Sequence, residues 1–192
     1  MTAAATADLA TLKRLLLEHS VRFGEFTLVS GQKSNVYVDS KLTTYLPEAI
    51  PLVGRAFLKI IQGRGWDPQA VGGLTLGADP IALAIARESL DHAPHPIRAF
   101  VARKEPKKHG TQRYIEGMED PSGLRVVVLD DVCSTGGSTA KAIQIAKDSG
   151  MQVLGAVCLV DREMGAADLL MRDFGLDMES VFTLSDLRQS TS

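Results

Sequence analysis

Several features that assign proteins to common classes are scarce or absent in this sequence. Only two cysteines occur, Cys133 and Cys158, and this pair forms neither a disulfide framework nor a metal-binding spacing. The Walker A pattern G-x-x-x-x-G-K-[ST] is absent. Its absence argues against a P-loop NTPase. The low cysteine content indicates a reducing compartment and excludes a metal centre built from cysteine.

Charge and hydrophobicity exclude two further classes. The net charge is −2, so bulk electrostatics attracts neither nucleic acid nor an anionic membrane, and any anion site must be local. No apolar run approaches the roughly 18 residues of a membrane span, and the amino terminus lacks a basic segment followed by a long apolar core. These absences predict a cytoplasmic protein with no targeting segment, no membrane partner and no nucleic-acid partner.

The sequence does contain alternating strand and helix patterns. Its 192 residues suffice for one well-cored domain and are few for two, so a single domain is predicted over residues 1–192. Strand, turn and helix alternate three times between residues 70 and 149, and further strands are expected at 153–160 and 181–184. This order predicts an α/β fold with a doubly wound, mostly parallel sheet. The amino-terminal helix and short strands, residues 1–45, would form a small hood over the carboxyl edge of that sheet.

The most informative segment runs from Val126 to Ser138. The four apolar residues 126–129 predict a strand buried on both faces, and Asp130 and Asp131 follow them. A loop of small residues then leads to a helix that Ser138 is expected to cap. Such a loop directs backbone N–H groups and a positive helix end toward a ligand, which favours phosphate. Carboxylates accept hydrogen bonds, so the acid pair suits ribose hydroxyls.

Two plainer interpretations compete with a sugar-phosphate site. An apolar strand that ends in two aspartates is also typical of a Walker B strand, but the missing Walker A pattern disfavours a P-loop enzyme. Many α/β proteins also end a strand in an acidic loop that binds nothing. The small-residue loop and the helix start that follow the acid pair directly favour the phosphate site over this second alternative.

The segment resembles the motif of type I phosphoribosyltransferases that binds phosphoribosyl pyrophosphate (PRPP). That motif is an apolar strand, two acids, a turn rich in Thr or Ser with Gly, and a helix. A second segment, from Arg103 to Arg113, holds five basic side chains and His109, interleaved with Pro106 and Gly110. A charge run is usually a solvated face, but this composition is typical of a mobile lid. It is similar to the R-K-x-x-K-x-H-G loop of orotate phosphoribosyltransferases.

Three other segments resemble this family, in the family's order. Residues 23–34, with Tyr37 and Asp39, resemble its hood. Residues 72–80 resemble a second loop that contacts pyrophosphate, although a plain glycine turn that caps a helix is the alternative. Residues 160–165 resemble a V-D-R-x-x-G segment whose arginine contacts the orotate carboxylate.

The sequence departs from the family pattern at three positions. Val29 and Gly77 stand where some members carry lysines that contact PRPP, so cations would come mainly from the 103–113 loop. Ser134 stands where a threonine commonly touches orotate. Its hydroxyl is able to make the same hydrogen bond, so this change is mild.

The resemblance implies transfer of the phosphoribosyl group from PRPP to orotate, which yields orotidine 5′-monophosphate and pyrophosphate in pyrimidine (UMP) synthesis. It also implies Mg²⁺ carried by PRPP without a direct protein ligand, and a homodimer with shared active sites. By the same resemblance, the catalytic residues are Lys107, His109, Asp130 and Asp131. The PRPP contacts are Arg103, Lys104, Lys107, His109, Asp130, Asp131, Val132, Cys133, Ser134, Thr135, Gly136, Gly137 and Ser138. The orotate contacts are Ser134 and Arg162.

Two other functions would keep part of this pattern. A phosphoribosyltransferase for another base, such as a purine, would share the PRPP motif, but the basic loop and the Arg162 segment argue against it. A regulator that senses PRPP without catalysis would be expected to carry a basic nucleic-acid-binding extension. The balanced charge and the length of this sequence argue against that alternative.

Overall fold

The computed structural model describes residues 3–27, 33–105 and 114–189. The helices are α1 (Ala3–Leu15), α2 (Lys41–Thr44), α3 (Ala49–Gly63), α4 (Ala78–His92), α5 (Gly137–Asp148), α6 (Ala166–Phe174) and α7 (Leu184–Arg188). The strands are β1 (Val21–Thr27), β2 (Lys33–Val38), β3 (Ala70–Leu74), β4 (Arg98–Ala102), β5 (Ile115–Glu116), β6 (Arg125–Cys133), β7 (Gln152–Asp161) and β8 (Met178–Thr183). Within these ranges, no helix is both long and apolar enough to cross a membrane.

The central sheet has six strands in the order β5-β4-β3-β6-β7-β8. Strands β4, β3, β6, β7 and β8 are parallel, whereas β5 pairs antiparallel with β4. This arrangement confirms the predicted mostly parallel α/β sheet. The chain leaves β3 toward β4 on one side and later returns to β6 on the other side. The strand order therefore reverses between β3 and β6, and sheets of this type bind ligands at such a switch point.

Strand β6 is buried on both faces, as its apolar run predicts. Val127 and Leu129 belong to a core that also contains side chains of α1, α3 and α4. Val126 and Val128 belong to a second core that contains side chains of α5. Successive side chains of a strand point to opposite faces, so one apolar run supplies both cores. The carboxyl end of β6 is thereby held between two packed layers.

The amino-terminal segment forms its own layer. Helix α1 packs into the first core through Leu12, which is fully buried, and Leu16 follows in a π-helical turn at its end. Within the predicted hood region, residues 1–45, strands β1 and β2 form a separate antiparallel pair. From here on, the name hood refers to this pair. The Arg188 side chain of α7 donates a hydrogen bond to Asn35 Oδ1 of β2 at 2.7 Å. The carboxyl-terminal helix therefore contacts the hood.

Two local predictions were wrong, and three short elements were missed. Strand β6 continues through the acid pair to Cys133, because it stays in register with β7 up to the pairing of Cys133 with Asp161. Ser138 does not cap α5, because the cap position is Gly136 and the helix begins at Gly137. The short elements α2, β5 and α7 were not predicted, since two to five residues carry too little hydrophobic period to detect.

Candidate functional site

The candidate site lies where β3, β6 and β7 end. Strand β6 ends in the acid pair and leads into α5, β3 leads through the turn 75–77 into α4, and β7 leads to Arg162. These ends are neighbours because β6 pairs with β3 on one side and with β7 on the other. The structure thus brings together three segments that the sequence places about 30 residues or more apart. They meet at the switch point of the sheet.

Asp130 faces α5 and holds the start of that helix. Its Oδ2 accepts hydrogen bonds from Ser138 Oγ and Thr139 Oγ1, each at 2.7 Å. Its Oδ1 accepts the backbone N–H of Asp131 at 3.0 Å. The side chain is buried, and this burial raises the pKa of the Asp130 carboxyl despite the hydroxyl donors that favour its charged form. Ser138 therefore binds Asp130 rather than capping the helix.

Asp131 faces the opposite way, toward the amino-terminal segment. Its Oδ2 accepts a hydrogen bond from Ser40 Oγ at 2.5 Å and lies 3.8 Å from Lys41 Nζ. Lys41 pairs more closely with Asp39, at 2.9 Å, and the hydrogen bond to Asp39 raises the pKa of the Lys41 ammonium. A Cβ added to Gly77 would lie 2.3 Å from Asp131 Oδ1. The space beside Gly77 is therefore taken by this carboxylate.

The loop after the acid pair offers main-chain donors. Gly136 has φ 87°, a left-handed conformation that favours glycine, and α5 starts at the next residue. The first N–H groups of a helix have no partner inside that helix. Thr135, Gly137 and Ser138 are exposed, so this turn is open to a ligand. Such a turn suits an anion because both the free N–H groups and the helix dipole favour negative charge.

Two of the residues predicted to contact PRPP direct their side chains into the protein. Cys133 is fully buried, and Val132 packs against the first core. Burial raises the pKa of the Cys133 thiol to about 11, so the thiol stays protonated at neutral pH. Any contact of these two residues with a ligand would therefore use the main chain.

Arg162 lies beside the loop and against the hood. Its backbone N–H donates to the Cys133 carbonyl at 2.8 Å, which places it next to Ser134. Its Nη2 donates to Ser34 Oγ of β2 at 3.0 Å. Its Nε is buried and has no hydrogen-bond partner in the described structure. A buried donor left without a partner costs free energy, and a carboxylate is the acceptor that the guanidinium fork fits best.

The residues predicted for the lid are described only at its amino-terminal base. Arg103 follows β4, and its Nη1 lies 3.2 Å from Glu116 Oε1 in a half-exposed ion pair. Such a pair contributes little to stability, so a phosphate ligand is able to replace it at small cost. Lys104 is exposed. Lys107 and His109 lie outside the described residues, as does Val29 of the hood.

Sequence analysis missed Ser40 and Lys41. Both follow β2 directly, and the fold brings them to Asp131, 90 or so residues away in sequence. A single serine after a short strand has no spacing or charge pattern that reports its partner. The only signal was the neighbouring Asp39, which resembled part of the family's hood.

Comparison with known proteins agrees with this geometry. Residues 44–183 match the phosphoribosyl transferase domain family. An orotate phosphoribosyltransferase of Nostoc sp. is 43% identical over 189 residues, which cover 96% of this chain and 89% of that protein. The Aquifex aeolicus enzyme of the same name is 44% identical, with coverages of 92% and 95%. The crystal structure of Mycobacterium tuberculosis orotate phosphoribosyltransferase in complex with PRPP superposes with a TM-score of 0.77 at 40% identity, covering 94% of this chain and 99% of that one. The chain therefore belongs to the orotate phosphoribosyltransferase family.

Proposed function

We propose that the chain transfers the 5-phosphoribosyl group of PRPP to orotate, releasing pyrophosphate and forming orotidine 5′-monophosphate for pyrimidine nucleotide synthesis. Family membership supports this pentosyltransferase reaction. The observation that carries the site assignment is the meeting of the acid pair, the glycine loop and Arg162 at one switch point of the sheet. The two buried free cysteines fit a reducing compartment, so we place the enzyme in the cytoplasm.

PRPP is held at its 5′-phosphate, its ribose and its pyrophosphate. The loop 134–138 binds the 5′-phosphate through main-chain N–H groups and hydroxyls. Asp131 binds ribose hydroxyls, and Asp130 fixes the loop and supplies a second negative charge. The reaction passes through a cationic sugar, which these carboxylates stabilise electrostatically. The basic segment neutralises the leaving pyrophosphate through Arg103, Lys104, Lys107 and His109. The reaction requires no covalent nucleophile.

Orotate is held by Arg162 and Ser134. The unpartnered Nε of Arg162 and its Nη2, now on Ser34, offer a two-point donor for the orotate carboxylate. Ser134 follows β6 directly and is only partly buried, so its hydroxyl is accessible to the base. Uracil and the purines lack this carboxylate, so Arg162 together with Ser134 selects orotate as the acceptor.

Mg²⁺ fits this site as an ion carried by PRPP. Three of the four carboxylate oxygens of the acid pair accept hydrogen bonds from described residues, and Asp131 Oδ1 is the remaining one. No group of three or more potential metal ligands occurs among the described residues. Magnesium usually keeps several waters and few protein ligands when it binds with a phosphate substrate. When bound, it would neutralise charge on the pyrophosphate.

We also propose a homodimer in which the basic loop of one subunit serves the site of the other. A cavity of about 300 Å³ is lined by three exposed apolar side chains, Tyr45, Ile50 and Leu83. The same cavity contains Thr44 Oγ1 and Asp79 Oδ1, which are buried without a hydrogen-bond partner in the described structure. Exposed apolar area with unsatisfied polar atoms is typical of a protein interface. We place the second subunit on this face.

An absorbance assay with PRPP and Mg²⁺ tests the reaction. Orotate is offered first, and uracil, hypoxanthine and adenine are offered as competing acceptors. Consumption of orotate with release of pyrophosphate is the expected result. Turnover of hypoxanthine but not of orotate would overturn the assignment, and no turnover of any base with intact PRPP binding would favour a PRPP sensor.

Co-expression of two inactive variants tests the shared site. Lys107→Ala removes a lid cation and Asp131→Asn removes the ribose contact, so each homodimer should be nearly inactive. With random pairing, about half of the dimers are mixed and about half of their sites are intact, so activity should return to roughly a quarter of wild type. If differentially tagged mixed dimers form without any gain in activity, each lid serves its own subunit or is not catalytic.

A further inference from the structure

We propose that Ser40 is a positioning residue that orients the Asp131 carboxylate for PRPP. This inference rests on the proposed function, because it assigns Ser40 a role only through Asp131. Ser40 follows β2, outside every segment that resembled the family's PRPP-binding motifs. It couples the hood to the acid pair of the central sheet.

The hydrogen bond between these residues is short and protected from water. Ser40 Oγ donates to Asp131 Oδ2 at 2.5 Å. Ser40 is 0% exposed, and the Asp131 side chain is 15% exposed. A hydroxyl that donates to a carboxylate at this distance makes a strong, charge-assisted hydrogen bond. A buried serine cannot follow the carboxylate into solvent, so it fixes the direction of that oxygen.

Lys41 is the competing candidate for this role, and its geometry is weaker. Its Nζ lies 3.8 Å from Asp131 Oδ2 but 2.9 Å from Asp39 Oδ1, and its side chain is 42% exposed. A half-exposed ammonium at that distance is screened by water, and Asp39 holds it more closely. Ser40 is therefore the group that holds Oδ2.

The other oxygen of Asp131 is confined by Gly77. A Cβ at Gly77 would lie 2.3 Å from Oδ1 and 2.6 Å from Cγ, far inside contact distance. Gly77 has φ −70°, which any residue adopts, so a larger residue here would displace the Asp131 carboxylate without straining its own backbone. Ser40 therefore holds Oδ2, while Oδ1 occupies the space left by the missing Cβ of Gly77. A fixed carboxylate costs no reorganisation when the cationic sugar forms.

Ser40→Ala tests the proposal, with Ser20→Ala as a matched control. Ser20 is also buried in this region and pairs with Thr43 Oγ1 at 2.6 Å, but it does not touch the acid pair. Both variants lose one buried hydroxyl, so both should lose a similar amount of stability. Ser40→Ala should lower kcat/KM for PRPP about tenfold and leave KM for orotate unchanged, because a hydrogen bond to a charged group is lost. Ser20→Ala should leave both kinetic parameters as in wild type.

A double-mutant cycle separates positioning from a general structural role. PRPP affinity is measured by calorimetry with Mg²⁺ for wild type, Ser40→Ala, Asp131→Ala and the double variant. If Ser40 acts through Asp131, Ser40→Ala should change affinity less than about twofold in the Asp131→Ala background. Ser40→Cys keeps the volume with a weak donor and replaces Ser40→Ala if that variant does not fold.

Three results would overturn the proposal. Equal losses in the two backgrounds would show that Ser40 acts independently of Asp131. A loss of the same size in Ser20→Ala would show that the effect follows from reduced stability. Higher PRPP affinity in Ser40→Ala would show that the serine sequesters the carboxylate. Failure of the wild type to bind PRPP would instead contradict the proposed function itself.

Discussion

The two carboxylates of the acid pair stand next to each other on β6 but belong to different regions of the molecule. Asp130 binds hydroxyls eight and nine residues further along the chain, in the first turn of α5. Asp131 binds a hydroxyl 91 residues away, in the turn after the hood. Alternate side chains of a strand point in opposite directions, so an acid doublet at a strand end necessarily faces two neighbours.

This difference assigns different tasks to chemically identical side chains. The hydrogen bonds of Asp130 to described residues all lie inside the β6–α5 unit, so we expect this side chain to shape the proposed phosphate loop. Asp131 lies between the hood and the β3–α4 turn, and its Oδ1 keeps lone pairs that no described residue uses. Local contacts hold Asp130 against the loop, whereas distant contacts hold Asp131, which we propose meets the substrate.

Replacing each acid by its amide should separate the two tasks most strongly. Asp131→Asn should lower kcat/KM roughly a thousandfold, because it removes the charge that we propose faces the sugar. Its loss of stability should be small, because the amide oxygen is still able to accept the Ser40 hydroxyl. Asp130→Asn should lower it only about tenfold, because the amide still offers one acceptor to the Asp131 N–H and two donors to the loop hydroxyls. Steady-state kinetics and thermal unfolding measure both effects.

Thr139 provides the control for this pair, because it binds Asp130 but is not among the predicted PRPP contacts. Thr139→Val removes one hydroxyl from Asp130 without changing either charge, so it should resemble Asp130→Asn and not Asp131→Asn. Equal losses in the two amide variants would show that both carboxylates contact ribose. A larger loss in Asp130→Asn would reverse the assignment.

Arg162→Ala should give the next largest effect and should act on the acceptor alone. Loss of the carboxylate contact should lower kcat/KM for orotate, which corresponds to a loss of about 2–4 kcal/mol of transition-state stabilisation. PRPP binding should stay nearly unchanged. Arg188→Ala is the matched control, since Arg188 also binds the hood, at Asn35, but lies in α7 away from β6. Equal losses for orotate and PRPP in Arg162→Ala would mean that Arg162 only supports the hood.

The sheet and the acid pair were predictable because their signals are local. An apolar run of four residues determines a strand buried on both faces, and the helices between strands force a parallel sheet. The doublet and the glycine loop follow in the next ten residues, so their position on the sheet edge follows from strand direction alone. Arg162 was predictable only through resemblance to a family, since a lone arginine after a strand is usually a surface residue.

The direction of each side chain was not predictable. The sequence suggested that Ser138 caps a helix, whereas a left-handed glycine takes the cap and frees the serine for Asp130. Nothing near Ser40 indicates that it meets Asp131, because that contact depends on how the hood sits on the sheet. Contacts between distant segments need the packed fold, and they decide what each acid does.

The smallest expected effect is a pH dependence of stability that Asp130 has and its amide lacks. Burial raises the native pKa of Asp130 above its ordinary value of 3.8, so the folded state binds this proton more tightly than the unfolded state. The free energy of unfolding then falls as pH rises from 3.8 through the raised native pKa. Asp130→Asn has no such proton, so its stability relative to wild type should rise across that window and then level off.

Asp186 is the control of opposite sign, because the Thr183 backbone N–H lowers the pKa of its carboxyl. Its stabilisation is present above pH 3.8 and is lost as pH falls through the lowered pKa, so Asp186→Asn should lose stability relative to wild type as pH rises. Chemical denaturation between about pH 2 and about pH 7 measures both differences. Parallel curves for wild type and Asp130→Asn would show that Asp130 titrates alike in the folded and unfolded chain, which would contradict the expected effect of its burial.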